Sequence, residues 1–145
     1  MKVEFEILGP PRPKGRPKFF RRGNFMGAYT PAATREYEQT VLIQALPYKP
    51  AKPIEEAIRF TVIFHMPIPT SMSKKKKALA IQKLLLPTKR PDLDNLAKIK
   101  DALNKVFWTD DSVIAEEHLY KIYSETPKTE IKIETIFAEQ GELLI

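Results

Sequence analysis

Thirteen prolines divide this chain of 145 residues into short segments and limit the length of any helix or strand. Proline removes a backbone hydrogen-bond donor and fixes φ, so regular structure tends to begin or end beside it. Two of the segments, residues 3–7 and 58–66, alternate apolar and polar side chains as half-buried strands do. Other segments carry apolar residues at helical spacing. The chain therefore predicts an α+β fold, in which a small mixed β-sheet packs with a few helices in a single domain of residues 1–145.

Three of the segments are predicted to be helices. The pair Thr30-Pro31 has the form of an N-cap followed by proline at the first helical position, and this helix runs to Pro47. Ser73 is expected to cap a second helix that continues to Leu86. Asp94 can cap a third helix, whose apolar stripe consists of Leu96, Ile99, Leu103 and Val106.

The remaining segments are predicted to be strands and loops. Two strands are expected near residues 118–123 and 130–137, joined around Pro127. Residues 12–27 are predicted to be a long basic loop that contains three phenylalanines, Phe19, Phe20 and Phe25. Aromatic side chains among basic ones either stack on nucleotides or anchor a loop to the core. We favour anchoring for these three.

The composition excludes several classes of protein. No cysteine is present, which excludes disulfide frameworks, thiolate zinc sites and cysteine nucleophiles. No apolar run reaches the roughly 18 residues that span a bilayer. Residues 1–6 alternate charged and apolar side chains, unlike a signal peptide. We therefore expect a soluble cytoplasmic protein with no membrane partner.

Basic residues are concentrated in two segments that contain no acidic residue. The first basic segment is residues 11–35 and the second is residues 74–90, each with seven Lys or Arg. From Asp110 onward nine acidic residues oppose three basic ones, so this part carries −6 while the first 109 residues carry +12. Two such segments on a small domain predict that the protein binds a polyanion. A solvated surface is the alternative, and it explains the lysine run 74–77 equally well.

A pair of carboxylates follows the second basic segment. Pro91 disfavours helix at the residue before it, so Asp92 is expected in extended chain. Residues two apart in extended chain point to the same side, and Asp92 and Asp94 then share one volume, where they repel unless a cation lies between them. Mg²⁺ takes hard oxygen ligands and commonly joins carboxylates to phosphate oxygens. Lys98, one helical turn beyond Asp94, is within reach of a scissile phosphate.

A third carboxylate would hold a metal ion more firmly, and Asp110 and Asp111 follow the same helix. A helix of about 12 residues is about 18 Å long, so spacing alone does not decide whether either lies near Asp92. The alternative interpretation needs no metal: Asp94 is a helix cap, Asp92 is its solvated neighbour, and Lys98 forms an ion pair on an exposed helix face.

The chain resembles the RusA family of Holliday junction resolvases, which are crossover junction endodeoxyribonucleases often carried by prophages. The resemblance covers most of the chain, is strongest over residues 89–113 and is weakest after Thr126. The residues that carry the resemblance are, in chain order, Asp92-Leu93-Asp94-Asn95-Leu96, Lys98, Asp101-Ala102-Leu103, Phe107-Trp108 and Asp110-Asp111.

The resemblance implies a Mg²⁺-dependent endonuclease, with Mn²⁺ as a substitute, that acts as a homodimer in DNA recombination and repair. Such an enzyme cuts four-way and branched DNA. The resemblance assigns metal-binding and catalytic roles to Asp92, Asp94 and Asp111 and a catalytic role to Lys98, with Asp110 as a further candidate. It implies that Asp111 comes close to the other two aspartates and that the partner chain can help to build the site.

Residues 68–88 look like an insertion relative to shorter members of the family. Two other functions are kept as alternatives. One is a non-catalytic nucleic-acid-binding protein whose aspartates cap a helix. The other is a basic interaction module whose acidic C-terminal part packs against the basic loop of a neighbour.

Overall fold

The computed structural model describes residues 1–136, and its central element is a four-stranded mixed sheet. The strands are, in chain order, β1 (Lys2–Leu8), β2 (Lys18–Arg22), β3 (Phe25–Tyr29), β4 (Ile58–Pro67), β5 (Ile114–Ser124) and β6 (Lys128–Thr135). The sheet has the order β1-β6-β4-β5, with β6 antiparallel to both of its neighbours and β5 parallel to β4. Strands β2 and β3 form a separate antiparallel hairpin.

The helices are short and lie in the two long connections of the chain. They are α1 (Ala32–Ala45), α2 (Lys74–Ile81), α3 (Leu93–Leu96) and α4 (Lys100–Leu103). Three 3₁₀ turns accompany them, at Leu46–Tyr48, Ala97–Ile99 and Asp111–Val113. The α+β prediction, a small mixed sheet packed with a few helices, is confirmed. Among residues 1–136, no helix is long and apolar enough to cross a membrane.

The core lies between one face of the sheet and the helices. Strand β4 supplies alternate residues that are buried completely or almost completely, among them Phe60 and Phe64. The run from α3 to α4 turns an apolar stripe toward them, in which Leu96 and Leu103 are fully buried. Each large apolar side chain buried in this way contributes about 1.5–3 kcal/mol. The stripe fixes which side of the run faces solvent, and that side carries the aspartates.

The first basic segment is not a long loop as the sequence suggested. Its residues Lys18–Tyr29 form the β2–β3 hairpin, with Gly23 at φ +59° in the tight turn. A two-residue turn needs such a left-handed conformation, which glycine adopts without strain. Anchoring of the phenylalanines to the core is also wrong, because Phe19 is 75% exposed and Phe25 is 63% exposed.

The predicted helices exist, but their ends differ. Ser73 caps α2 as expected and accepts a hydrogen bond from the Lys76 backbone N–H, but α2 ends at Ile81 instead of Leu86. It ends because Lys83 adopts φ +64°, which an α-helix cannot contain. Helix α1 has Pro31 at its N-cap position instead of Thr30.

The third helix begins at Leu93, so its N-cap is Asp92 and not Asp94. A 3₁₀ turn interrupts it between α3 and α4. The two C-terminal strands are confirmed with longer bounds for β5, which covers the predicted 118–123 strand. Strand β6 ends at Thr135, and Phe137, like the rest of the predicted domain after residue 136, lies outside the described residues.

Candidate nuclease site

Asp92 lies where the chain enters the helical run between β4 and β5. Its backbone is extended, with φ −71° and ψ 152°, as Pro91 predicted. Its carbonyl oxygen accepts the backbone N–H of Leu96 at 3.0 Å, but its side chain makes no capping hydrogen bond. The Asp92 carboxylate is exposed and has no hydrogen-bond or ion-pair partner among residues 1–136. The interpretation of these aspartates as helix caps therefore has no hydrogen bond to support it.

Asp94 and Lys98 continue this exposed surface along the helical run. Asp94 lies in the first turn of α3, two residues after Asp92. Lys98 lies in the following 3₁₀ turn, and both side chains are exposed. Neither forms an ion pair within the described part of the chain, so the expected alternative of a Lys98 pair with Asp94 or Asp101 is not observed.

Asp101 is instead bound by Lys14 of the first basic segment. The Lys14 ammonium lies 2.8 Å from Oδ2 of Asp101 and 3.8 Å from Oε1 of Glu38, and the Lys14 backbone N–H donates to Oδ1 of Asn95. The hydrogen bond that Lys14 donates to Asp101 raises the pKa of Lys14, against the opposing effect of partial burial. These contacts hold the start of the first basic segment against the helical run that carries Asp94.

A second lysine holds the loop that precedes Asp92. The Lys121 ammonium, on β5, donates to the carbonyl oxygens of Lys89 at 2.9 Å and of Pro91 at 3.0 Å. The end of the second basic segment is thereby fixed beside the start of α3. Both basic segments are consequently held beside the helical run that begins at Asp92, the first through the contacts of Lys14 with Asn95 and Asp101 and the second through the contact of Lys121 with Lys89. Sequence spacing identified neither of these two lysines.

Asp111 is positioned by a buried tryptophan. Trp108 is fully buried, packs edge-on against Phe60 at 5.5 Å between ring centroids, and donates its indole N–H to Oδ1 of Asp111 at 2.9 Å. A buried indole N–H without a partner is costly, so this hydrogen bond both stabilises the fold and orients the carboxylate. The second oxygen of Asp111 is not used in this contact.

Asp110 has a local structural role. It is the N-cap of the 3₁₀ turn Asp111–Val113, and its Oδ2 accepts the backbone N–H of Ser112 at 3.0 Å. This hydrogen bond is the main reason why the pKa of Asp110 is lowered, with a smaller contribution from Lys105, whose ammonium lies 3.8 Å away. Asp110 therefore fits a turn cap better than a ligand.

The two groups of aspartates lie at opposite ends of β5. Lys121, late in β5, contacts the loop before Asp92, whereas Asp111 lies three residues before Ile114, the first residue of β5. Between them Lys100 pairs with Glu117 at 2.6 Å, so the helical run is antiparallel to the strand. The stretch from Ile114 to Lys121 is about 23 Å long at about 3.3 Å per residue.

The expected approach of Asp111 to Asp92 and Asp94 is not observed within one chain. Among residues 1–136, no three Asp, Glu, His or Cys side chains are grouped closely enough to hold a metal ion. The physical reason is the parallel arrangement of β4 and β5, which requires the connecting helices to run back along the sheet. Asp92 and Asp94 are exposed hard-oxygen donors without partners and fit a divalent cation as two of its ligands.

The β2–β3 hairpin adds aromatic and basic side chains to the surface. Phe19, Phe25 and Met26 are each more than 60% exposed, and the Arg22 guanidinium lies over the ring of Phe20 at 5.9 Å. Exposed aromatic rings beside arginines are a common arrangement for stacking on bases and binding phosphates. The exposure of these phenylalanines therefore favours stacking on bases over the anchoring to the core that the sequence predicted.

Two carboxylates without partners suit a divalent cation, and the basic segments beside them suit the phosphates of a nucleic acid. Residues 9–134 match the model of the family described as endodeoxyribonuclease RusA, and the chain belongs to this family of nucleases that act on Holliday junctions. The family's nucleases depend on a divalent metal ion. A relative in Bacillus subtilis (strain 168), described as uncharacterized protein YqaN, is 35% identical over 139 residues, which cover 94% of this chain and 98% of the relative.

Proposed function

We propose that this protein is a Mg²⁺-dependent, structure-selective endonuclease that resolves four-way DNA junctions by paired phosphodiester hydrolysis in recombination and repair. The observation that carries the proposal is the pair Asp92 and Asp94, exposed, without partners and bordered by both basic segments. Two adjacent carboxylates without a counter-ion repel each other, and a divalent cation removes this repulsion. The protein would act in the cytoplasm on host or prophage DNA, without a membrane partner.

The proposed roles follow from the chemistry of the side chains. Asp92 and Asp94 bind Mg²⁺, for which Mn²⁺ can substitute, and the bound ion lowers the pKa of a water molecule and stabilises charge on the transition state. Lys98 lies on the same exposed surface and contributes its positive charge to the phosphate that is cut. Lys14 and Lys121 are positioning residues, because they hold the segments on either side of the carboxylates.

We further propose that Asp111 acts across a homodimer. One chain carries Asp92 and Asp94 at one end of β5 and Asp111 at the other, and a two-fold axis can bring the Asp111 of one copy to the pair of the other. Each dimer then has two sites, both built from two chains. A four-way junction has approximate two-fold symmetry as well, so the two sites meet opposed strands.

The hairpin and the first basic segment are proposed to hold the junction. Their arginines and lysines bind phosphates, and Phe19 and Phe25 offer exposed rings on which bases can stack. Binding of this kind weakens steeply as salt concentration rises, because each neutralised phosphate releases a counter-ion.

The proposal is tested with a labelled synthetic four-way junction and a duplex of matched sequence, each with and without Mg²⁺. We expect cleavage of the junction only, and only with the metal. Asp92→Asn should lower the rate by more than the roughly 100-fold typical of lost outer-shell groups, with little effect on binding. Glu55→Gln, a similar change at an exposed position in the connector before β4, serves as the control.

The absence of a three-ligand group among residues 1–136 favours one competing function, a nucleic-acid-binding protein without catalysis. That function predicts tight junction binding, no cleavage with any divalent metal and no effect of metal on thermal stability. Full activity of the Asp92→Asn variant would exclude the role proposed for this carboxylate.

A further inference from the structure

The second basic segment carries more positive charge than its contacts explain. Its residues Lys74, Lys75, Lys76, Lys89 and Arg90 are exposed, and none forms a side-chain ion pair with another residue in the range 1–136. The segment contains no acidic residue. The charge therefore has no counterpart within the described part of the protein.

The lysines also occupy positions that disfavour the helix they belong to. Lys74 to Lys77 form the first turn of α2, which contains no acidic residue. The N-terminal end of a helix carries partial positive charge and favours acids, and adjacent lysines repel one another. Residues that lower the stability of their own helix are expected at functional positions.

The surroundings of α2 are suited to phosphate. Beside it lies an open groove of about 550 Å³ whose lining is half apolar, from Pro69, Met72, Leu85, Leu86 and Tyr123. The other half consists of hydroxyl and ammonium side chains, from Ser71, Ser73, Lys76, Thr88 and Lys89. Hydroxyl and ammonium groups together are the usual protein contacts to the DNA backbone.

The groove adjoins the carboxylate pair. Lys83 donates a hydrogen bond to the carbonyl oxygen of Tyr123, which ties the end of α2 to the end of β5. Lys89 lies in the groove wall, and its carbonyl oxygen accepts from Lys121 together with that of Pro91. Lys89 is three residues before Asp92, so their Cα atoms lie at most about 10 Å apart. Both features therefore lie at the same end of β5.

We infer that residues 71–89 form a second DNA-contact surface, which binds the phosphate backbone of the duplex arm next to the cut. This inference rests on the proposed nuclease function and adds to it a surface outside the carboxylate site. The exposed Lys74 and Lys75 extend the surface away from Asp92, and α2 is about 12 Å long, which corresponds to about three or four base pairs of duplex. The surface binds duplex by charge and shape without sequence preference.

The test is the affinity for junction DNA as a function of salt concentration, measured by fluorescence anisotropy without divalent metal. Lys74→Ala/Lys75→Ala removes two exposed charges and keeps the Ser73 cap. We expect affinity to fall about tenfold at moderate salt and the slope of log affinity against log salt to fall by about two. The matched control is Lys49→Ala/Lys52→Ala, two exposed lysines in the connector before β4.

Two further measurements separate DNA contact from a structural effect. The difference in affinity between variant and wild type should shrink on junctions whose arms are cut from about 20 to about 5 base pairs, because an arm of about 17 Å covers only part of a surface that extends about 22 Å from Asp92. Lys74→Glu/Lys75→Glu should raise the thermal stability of the protein, since acids suit the first turn of α2, and should weaken DNA binding further.

The inference is overturned if the Lys74→Ala/Lys75→Ala variant keeps the wild-type slope, or if the Lys49→Ala/Lys52→Ala control loses as much affinity. Because the readout is binding, these outcomes do not depend on cleavage. Failure of the wild-type protein to cut a junction would instead count against the proposed function.

Discussion

The aspartates at the two ends of the helical run between β4 and β5 differ in whether their carboxylates have partners. At the first end Asp92 and Asp94 are exposed and have no partner in the described part of the chain. At the other end Trp108 binds Asp111 and the Ser112 backbone binds Asp110. Carboxylates without partners are available to an external cation, whereas carboxylates with partners are oriented by the fold.

This difference divides the proposed metal site between the two ends of the run. In the proposal, the first end supplies two carboxylates that no contact fixes, and the second supplies Asp111, whose orientation is fixed by a buried indole. Because β5 separates the two ends within one chain, the proposal joins them between chains. Four measurements test this comparison.

The largest effect is expected when two inactive variants are combined. Asp92→Asn and Asp111→Asn should each abolish junction cleavage, but a mixed dimer of the two contains one intact site if the sites are shared between chains. Random exchange of equal amounts should restore about a quarter of the wild-type sites, seen as nicking rather than paired cleavage. No recovery after exchange would show that Asp111 does not act across the dimer.

Trp108→Phe should lower both the stability of the protein and its cleavage activity, because Trp108 orients Asp111. The variant loses the indole N–H that binds Asp111 and leaves space in the core, which should lower the free energy of unfolding by about 2–3 kcal/mol. Loss of a group that orients a ligand should reduce cleavage about 10- to 100-fold. Urea unfolding and a junction assay measure the two effects.

Phe107→Leu is the control for Trp108→Phe, since Phe107 is also fully buried but is not among the partners of Asp111. It should lower stability while cleavage by the folded protein is retained. Equal losses of activity in both variants would mean that Trp108 acts only through stability.

Removal of Asp111 should lower the stability of the protein, whereas removal of the Asp92 and Asp94 carboxylates should not. Asp111→Ala leaves the buried indole N–H of Trp108 without a partner and should lower the free energy of unfolding by about 1–3 kcal/mol. The double variant Asp92→Asn/Asp94→Asn should remain within about 0.5 kcal/mol of wild type. Urea unfolding at neutral pH without divalent metal compares them, and a large loss in the double variant would contradict the absence of partners.

The smallest expected effect is a shift in the titration of Asp110. The Ser112 backbone N–H lowers its pKa, so the NMR titration midpoint of the carboxyl carbon should fall below 3.8. A lowered carboxyl pKa contributes stability that is present above the unfolded value and is lost as pH falls through the folded value. The Lys105→Gln variant should raise the midpoint only slightly, because Lys105 contributes less than the hydrogen bond. A wild-type midpoint at or above 3.8 would show that the hydrogen bond does not lower the pKa of Asp110.

The sequence predicted those parts of the fold that depend on local pattern. Strands β1 and β4 were visible because one face of each is buried and the other is not. The β2–β3 hairpin was missed because every residue of β2 is exposed, so no apolar alternation marks it; only the pair Gly23-Asn24 signals its turn. Helix α2 ends early because Lys83 adopts a positive φ, and no glycine or proline at this position predicts that conformation.

The candidate site was predictable in the same local sense. Pro91 predicted the extended backbone of Asp92, and the two-residue spacing predicted its neighbour Asp94. The contact between Lys14 and Asp101 joins residues far apart in the chain, and spacing carries no information about it. The separation of Asp111 from Asp92 depends on β5 being parallel to β4, a direction that a strand pattern does not contain.

The order of the strands also determines when this protein can fold during synthesis. Strand β6 lies between β1 and β4, and it is the last of the described strands to leave the ribosome. Until then β1 has no neighbouring strand in the sheet, and β4 can pair only with β5. Pairing of β1 with β6 closes almost the whole described chain into one loop, so the sheet is completed late and nearly all at once.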